Sequence, residues 1–367
     1  MMKKALLATI ASLGLVMMSA PAAQAAQLST IAPVEPRTSS VVTAVPLPTA
    51  QIDSGVVWAV KAAGNTVYAG GKFTAARPAG AKAGENTVAR SNLLAFNLTT
   101  GALTDFAPVV NGQVKALAVT PDGKRLYVGG TFSQVDGKTR WSIAAFDTAT
   151  GALLDTFKAA VGGSYVNSIV ATNDVVYVGG LISAGNGVTR KNLMAFDSAG
   201  KLLAWAPTTD MQVDGMALTP AGDKLIVGGR FTLVNGVAQR GLVALSPSDG
   251  SIFSGWIAPT IIKNGATTGK AGVYSITADS DSLYATAWSF GGVAAGNLEG
   301  SARIDPDTGA ILWMQDCHGD EYSAYSDGTN VYFAGHPHDC QTVGGYPQGD
   351  GSNVHYAVGF TKEVKGT

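Results

Sequence analysis

Tyr127-Val-Gly-Gly-Thr-Phe132 is the stretch on which the fold turns. It returns as Tyr68-Ala-Gly-Gly-Lys-Phe73, Tyr177-Val-Gly-Gly-Leu181 and Ile226-Val-Gly-Gly-Arg-Phe231, then in degraded form as Tyr284-Ala-Thr-Ala-Trp288 and Tyr332-Phe-Ala-Gly-His336. The intervals run from 48 to 59 residues. A period of that size makes each unit one supersecondary element of a repeat architecture. The second unit divides into four short apolar runs. These are Val114 to Val119 (A), Arg125 to Phe132 (B), Trp141 to Asp147 (C) and Ala152 to Phe157 (D). Between them lie the turn Pro121-Asp-Gly123, the polar loop Val135 to Arg140 and the turn Thr148 to Gly151. Short strands with regular turn signals and no sustained helical period predict an all-β chain. Four strands per unit predict a β-propeller with six visible blades, or seven if the chain is truncated. The last unit has A, B and C runs and no D run before Thr367. The N-terminal run Val41 to Val45 is a candidate for the missing strand, which would close the ring and remove its free edge.

Around the repeat, residues 1–25 read as a signal peptide: Lys3-Lys4, an apolar run from Ala5 to Met18, and a small-residue cleavage site at Ala23 to Ala25. Residues 26–50 read as a linker holding the possible closing strand, and residues 51–367 as the propeller. The expectation is a secreted monomer with no membrane span, since the apolar run is short for one. Charged residues make up 14% of the chain and the formal net charge is −1. That balance excludes a nucleic-acid binder, which needs Lys/Arg to pair with phosphates. It also excludes a polybasic membrane patch. No motif implies a cofactor.

The pattern Tyr-Val-Gly-Gly-x-Phe, then Val-x-Gly-x-x-Arg, then Ala-Phe-Asp-x-x-Thr-Gly resembles the repeat of secreted actinobacterial propellers of the delta-60 repeat or PKD-associated type. It is also similar to repeats of Rax2-type cell-polarity propellers. The resemblance covers nearly the whole mature chain, most clearly its first four units, and implies fold and export. It brings no catalytic residues.

Residues locked to the period read as architecture. The Gly-Gly pair lets a neighbouring backbone approach closely. Arg90, Arg140, Arg190 and Arg240 precede strand C at one offset, and each is expected to hydrogen-bond a loop carbonyl or a carboxylate of the next blade. Phe106, Phe157, Trp205, Trp256 and Trp313 recur in strand D as core aromatics.

Function is expected where the repeat breaks. In a propeller, D-to-A connections and B-to-C loops share one face. Cys317 and Cys340, the only cysteines, fall on that face and are expected to form a disulfide in an exported protein. His318, Asp320, Glu321, His336, His338 and Asp339 cluster around them. This cluster reads in three ways: a stapled loop with surface histidines, a binding or catalytic site, or a metal site built on the weak signal His336-x-His338. A second constellation comes from aligning the A strands. A small residue recurs at Ala59, Ala116, Ser168, Gly215, Ser275 and Ser323, preceded by the varied set Trp58, Lys115, Asn167, Asp214, Tyr274 and Tyr322. That set reads as a ring of aromatics and polar groups at the channel mouth, suited to a sugar or a peptide. Trp288 is read as replacing a strand-B glycine near the same face. The leading reading is a secreted propeller that binds a carbohydrate or cell-envelope polymer. One alternative is a glycan hydrolase or lyase, with His318, His336 or His338 as base and Asp320 or Glu321 as acid. The other is a structural or protein-binding propeller.

Overall fold

The computed structural model describes residues 47–264, 269–290, 296–316, 319–339 and 357–363. The expected signal peptide, the run Val41 to Val45, Cys317, His318 and Cys340 lie outside the described residues.

The chain is nearly all β, with one helix, Ala258–Ile261, among the described residues. Six antiparallel sheets follow one another, each with order A-B-C. Blade 1 has strands Gly55–Ala63, Thr66–Phe73 and Leu93–Asn97; blade 2 has Val114–Val119, Arg125–Gly130 and Ile143–Asp147. Blade 3 has Val161–Ala171, Val175–Gly185 and Leu193–Asp197; blade 4 has Val213–Leu218, Leu225–Gly229 and Leu242–Leu245. Blade 5 has Ala271–Ala278, Leu283–Ser289, Gly300–Ile304 and a fourth strand, Ile311–Asp316. Blade 6 has Glu321–Ser326, Asn330–Gly335 and Ala357–Thr361. Each A strand packs against the A strand of the next blade, which is the arrangement of propeller blades around an axis. No helix among the described residues is long and apolar enough to cross a membrane.

The Gly-Gly pair explains both the stacking and a local distortion. A Cβ on Gly70, Gly129, Gly179 or Gly228 would meet two side chains of the next blade's A strand: Val114 and Leu117, Val166 and Ile169, Val213 and Met216, or Val273 and Ile276. The first glycine is therefore a hole into which the next blade inserts an aliphatic pair. A Cβ on the second glycine would strike a carbonyl of its own A strand: Val56 at Gly71, Gln113 at Gly130, Tyr165 at Gly180, Gln212 at Gly229 and Asp320 at Gly335. That carbonyl is pushed in by a β-bulge, which recurs in all six A strands.

The D strands differ from expectation. Among the described residues only blade 5 has one; in blades 1 to 4 the D segment makes a single bridge, such as Phe146 to Leu153. Pro108 and Pro207 follow the aromatics of two such segments and cannot donate to a ladder. The aromatics instead turn inward, edge-on to the strand-B tyrosines: Tyr127 with Phe157 at 5.2 Å and Tyr177 with Trp205 at 5.1 Å. The B-to-C segments, expected as loops, contain tight hairpins in blades 2 to 4. Asp136-Gly137, Asn186-Gly187 and Asn235-Gly236 turn with positive φ at both residues, which Asp-Gly and Asn-Gly accept most readily.

Three of the four strand-C arginines are architectural, with partners in their own blade rather than the next. Arg90 donates to the Thr104 carbonyl at 2.9 Å and Arg190 to the Leu203 carbonyl at 3.0 Å. Arg140 pairs instead with the Asp155 carboxylate at 2.8 Å.

The described residues do not form a closed ring. The second aliphatic residue of the inserted pair is buried in blades 3, 4 and 5, at Ile169 (7%), Met216 (5%) and Ile276 (7%), because each inserts against the preceding blade's glycine. Its counterpart in blade 1, Val60, is 61% exposed. On the outward face of blade 6, Tyr325 is 50% exposed and Ala334, which stands at the first-glycine position, is also exposed.

Candidate functional site

The bulged residue of each A strand is the one singled out in the sequence: Trp58, Lys115, Asn167, Asp214, Tyr274 and Tyr322. A bulge re-aims a side chain and interrupts the ladder. Here it takes one residue per blade out of the inter-blade packing and turns it to the mouth of the sheet stack.

These six residues join into one continuous row across all six blades. The Lys115 ammonium lies 4.9 Å from the Trp58 ring and 5.4 Å from the Tyr165 ring. The Tyr165 hydroxyl donates to Gln212 Oε1 at 2.9 Å. Asp214 accepts from Asn167 Nδ2 at 3.0 Å and from Gln212 Nε2 at 2.6 Å, and pairs with Arg230 Nε at 3.3 Å. The Arg230 guanidinium lies 5.0 Å from the Trp288 ring. Trp288 meets Tyr274 at 5.8 Å, and Tyr274 meets Tyr322 edge-on at 5.2 Å. Tyr322 stacks on His336 at 5.8 Å with an interplanar angle of 6°, and His336 meets His338 at 5.5 Å.

The electrostatics follow from burial. Desolvation pushes the Asp214 carboxyl up, against the pull of Gln212, Arg230 and Asn167. Desolvation also lowers the Lys115 ammonium, partly offset by Asp214. The Tyr274 phenol is pushed up by burial, and so is Tyr322, with Asp320 adding to the latter. Trp58, at one end of the row, and Tyr322, near the other, remain about half exposed. The row therefore has a charged, hydrogen-bonded centre and two open aromatic ends.

A second row runs beside the first; the sequence singles out its Trp288 and His336 but not its Arg230. The residue after each Gly-Gly pair stands beside the bulge, and in blades 4 to 6 it is Arg230, Trp288 and His336. Trp288 is accordingly not a replaced glycine. Ala287 pairs with Val273 as Gly229 pairs with Val213, so Trp288 occupies the position of Arg230. Reading one residue past the glycines adds Arg230 to it and puts the three in one register. Tyr165 and Gln212, which precede the bulge by two residues, carried no signal of their own.

Of the acid and base candidates, His318 lies outside the described residues, and Asp320 acts on Tyr322 beside His336. His336 Nδ1 lies 3.3 Å from the Asp320 carbonyl and 3.5 Å from the Tyr322 hydroxyl. Glu321 is fully buried at the start of strand A. Asp339 follows His338 and is half-buried. No group of three or more metal-ligating side chains is present among the described residues.

No family model matches the chain, and no curated protein does. Among solved structures, the crystal structure of a mitotic checkpoint complex aligns over 80% of this chain and 82% of that chain, at 14% identity and a TM-score of 0.47. The likeness to delta-60 repeat propellers thus stays a resemblance in the repeat motif, and function is left to the residues.

Proposed function

We propose that this chain is an exported propeller-like protein whose rim binds a carbohydrate or cell-envelope polymer. The carrying observation is the unbroken row from Trp58 to His338, which alternates flat aromatic surface with fixed polar groups. Sugars present just these two needs: apolar ring faces for stacking and hydroxyls for hydrogen bonds. Asp214, Asn167 and Gln212 hold one another in place, so binding costs little side-chain ordering there. The half-exposed Trp58 and Tyr322 are the stacking platforms.

The test is a screen of the full chain against cell-wall and plant glycans, followed by calorimetry on the best ligand. Replacing Trp58 and Tyr322 together by Ala should weaken binding by about 10-fold or more, with thermal stability unchanged. Replacing His336 and His338 by Ala should weaken it less. A screen in which wild type binds no glycan sinks the reading and leaves a protein partner for the rim.

A further inference from the structure

A recess among the described residues lies away from the rim. It is a cleft of about 350 Å³ on the outer edge of blades 2 and 3, on the same face, lined by Arg140, Trp141, Asp155 and Lys158 among others. Its size is at the lower end of small-ligand sites, roughly 300–1,000 Å³.

Three observations set this place apart from the corresponding places in other blades. The residue after the strand-C arginine is Ser91 in blade 1, Lys191 in blade 3 and Gly241 in blade 4; here it is Trp141, which is 55% exposed. Its main-chain carbonyl accepts from Val161 N at 2.9 Å, so the backbone is fixed while the indole stands in solvent. The arginine itself differs. In blades 1 and 3 it is spent on a carbonyl, whereas Arg140 meets the Asp155 carboxylate at 2.8 Å, and Lys138 meets the other oxygen at 2.6 Å. Both cations thereby pin a carboxylate at the cleft wall. Lys158, exposed and also lining the cleft, has no ion-pair partner among the described residues. Two cations thus hold one carboxylate, and a third cation, Lys158, shares the cleft with an exposed indole.

We propose that this cleft is a second binding site, distinct from the rim, for an acidic saccharide such as a uronic-acid residue of a glycan. The apolar face of a pyranose ring would stack on Trp141, Asp155 would accept ring hydroxyls, and Lys158 would pair with the sugar carboxylate. The positive excess selects acidic over neutral sugars, and the fixed Arg140–Asp155–Lys138 wall gives the site its shape.

The experiment is calorimetric titration of the full chain with a galacturonate trisaccharide at low salt, beside a neutral glucose trisaccharide. Wild type should bind the acidic sugar about 10-fold more tightly than the neutral one, and more weakly as salt rises. Trp141→Ala should cost about 10-fold in affinity, while Trp141→Phe should keep most of it. Lys158→Glu should abolish the preference for the acidic sugar. The rim variant Trp58→Ala/Tyr322→Ala should bind as wild type does, which separates this site from the rim. The proposal is overturned if wild type does not bind the acidic sugar at millimolar concentration, if both sugars bind equally, or if Trp141→Ala binds as tightly as wild type. Should Trp141→Ala fold poorly, Lys158→Glu decides alone.

Discussion

The second glycine of each strand-B pair ties scaffold to site. A side chain there would collide with the carbonyl that the bulge pushes forward, and the bulge is what turns Trp58, Lys115, Asn167 and Asp214 to the rim. The first glycine has the separate task of receiving the next blade. Gly129→Ala should therefore act through Val166 and Ile169, whose side chains lie where the new methyl would go. The expected cost is about 1–3 kcal/mol by denaturant titration. Val166→Ala in the same chain should recover part of it, because the added and removed methyls share one space. Additive costs in the double variant would show that the glycine is not packed as described. The glycines and the bulged residues were legible because they keep strict period. Arg230 was not, since its partnership with Trp288 spans two blades.

At the scale of elements, the fifth and sixth blades are pinned by one polar cluster on the face opposite the rim. Asp279, in the A-to-B turn of blade 5, accepts from Ser326 at 2.7 Å and Tyr284 at 2.9 Å and pairs with Lys362 at 2.9 Å. The Lys362 carbonyl in turn accepts from Arg303 at 2.9 Å and Trp313 at 3.1 Å. Burial alone would raise the Asp279 carboxyl. The hydrogen bonds from Ser326, Lys362 and the Asp281 backbone outweigh it and hold the pKa at about 2. A folded pKa below the usual 3.8 contributes stability above that value, and this is lost as pH falls towards 2. Asp279→Asn should therefore lower the unfolding free energy at pH 7 by about 1–2 kcal/mol once solvent screening is allowed for. The gap to wild type should close as pH falls through 3.8 towards 2, the range over which this carboxyl takes up its proton. A gap that stays constant with pH would mean the carboxylate charge does not matter there. This cluster was invisible in the sequence: Asp279 and Lys362 are far apart along the chain and neither breaks the repeat.

For the molecule as a whole, the stack from blade 1 to blade 6 has two unmated faces. Val60 and Tyr325 are solvent-exposed where their counterparts in the middle blades are covered. Val60→Asp should then cost less than about 0.5 kcal/mol, as a surface change does. Met216→Asp, at the same position of a buried interface, should cost more than about 3 kcal/mol and is expected to compromise folding. Equal, large losses at both sites, read by thermal melts, would show that blade 1 is covered in solution by a sixth or further blade.

The all-β class, the six repeat units and the six bulged rim residues could be read from the amino-acid order alone. Each follows from local chemistry that repeats: turn residues, alternating apolar positions, and glycines where backbones crowd. The D segments, the hairpins between strands B and C, the rim row and the Trp141 cleft were decided by tertiary structure. They depend on which side chain of one blade reaches which group of the next, across separations of tens of residues that no local pattern encodes.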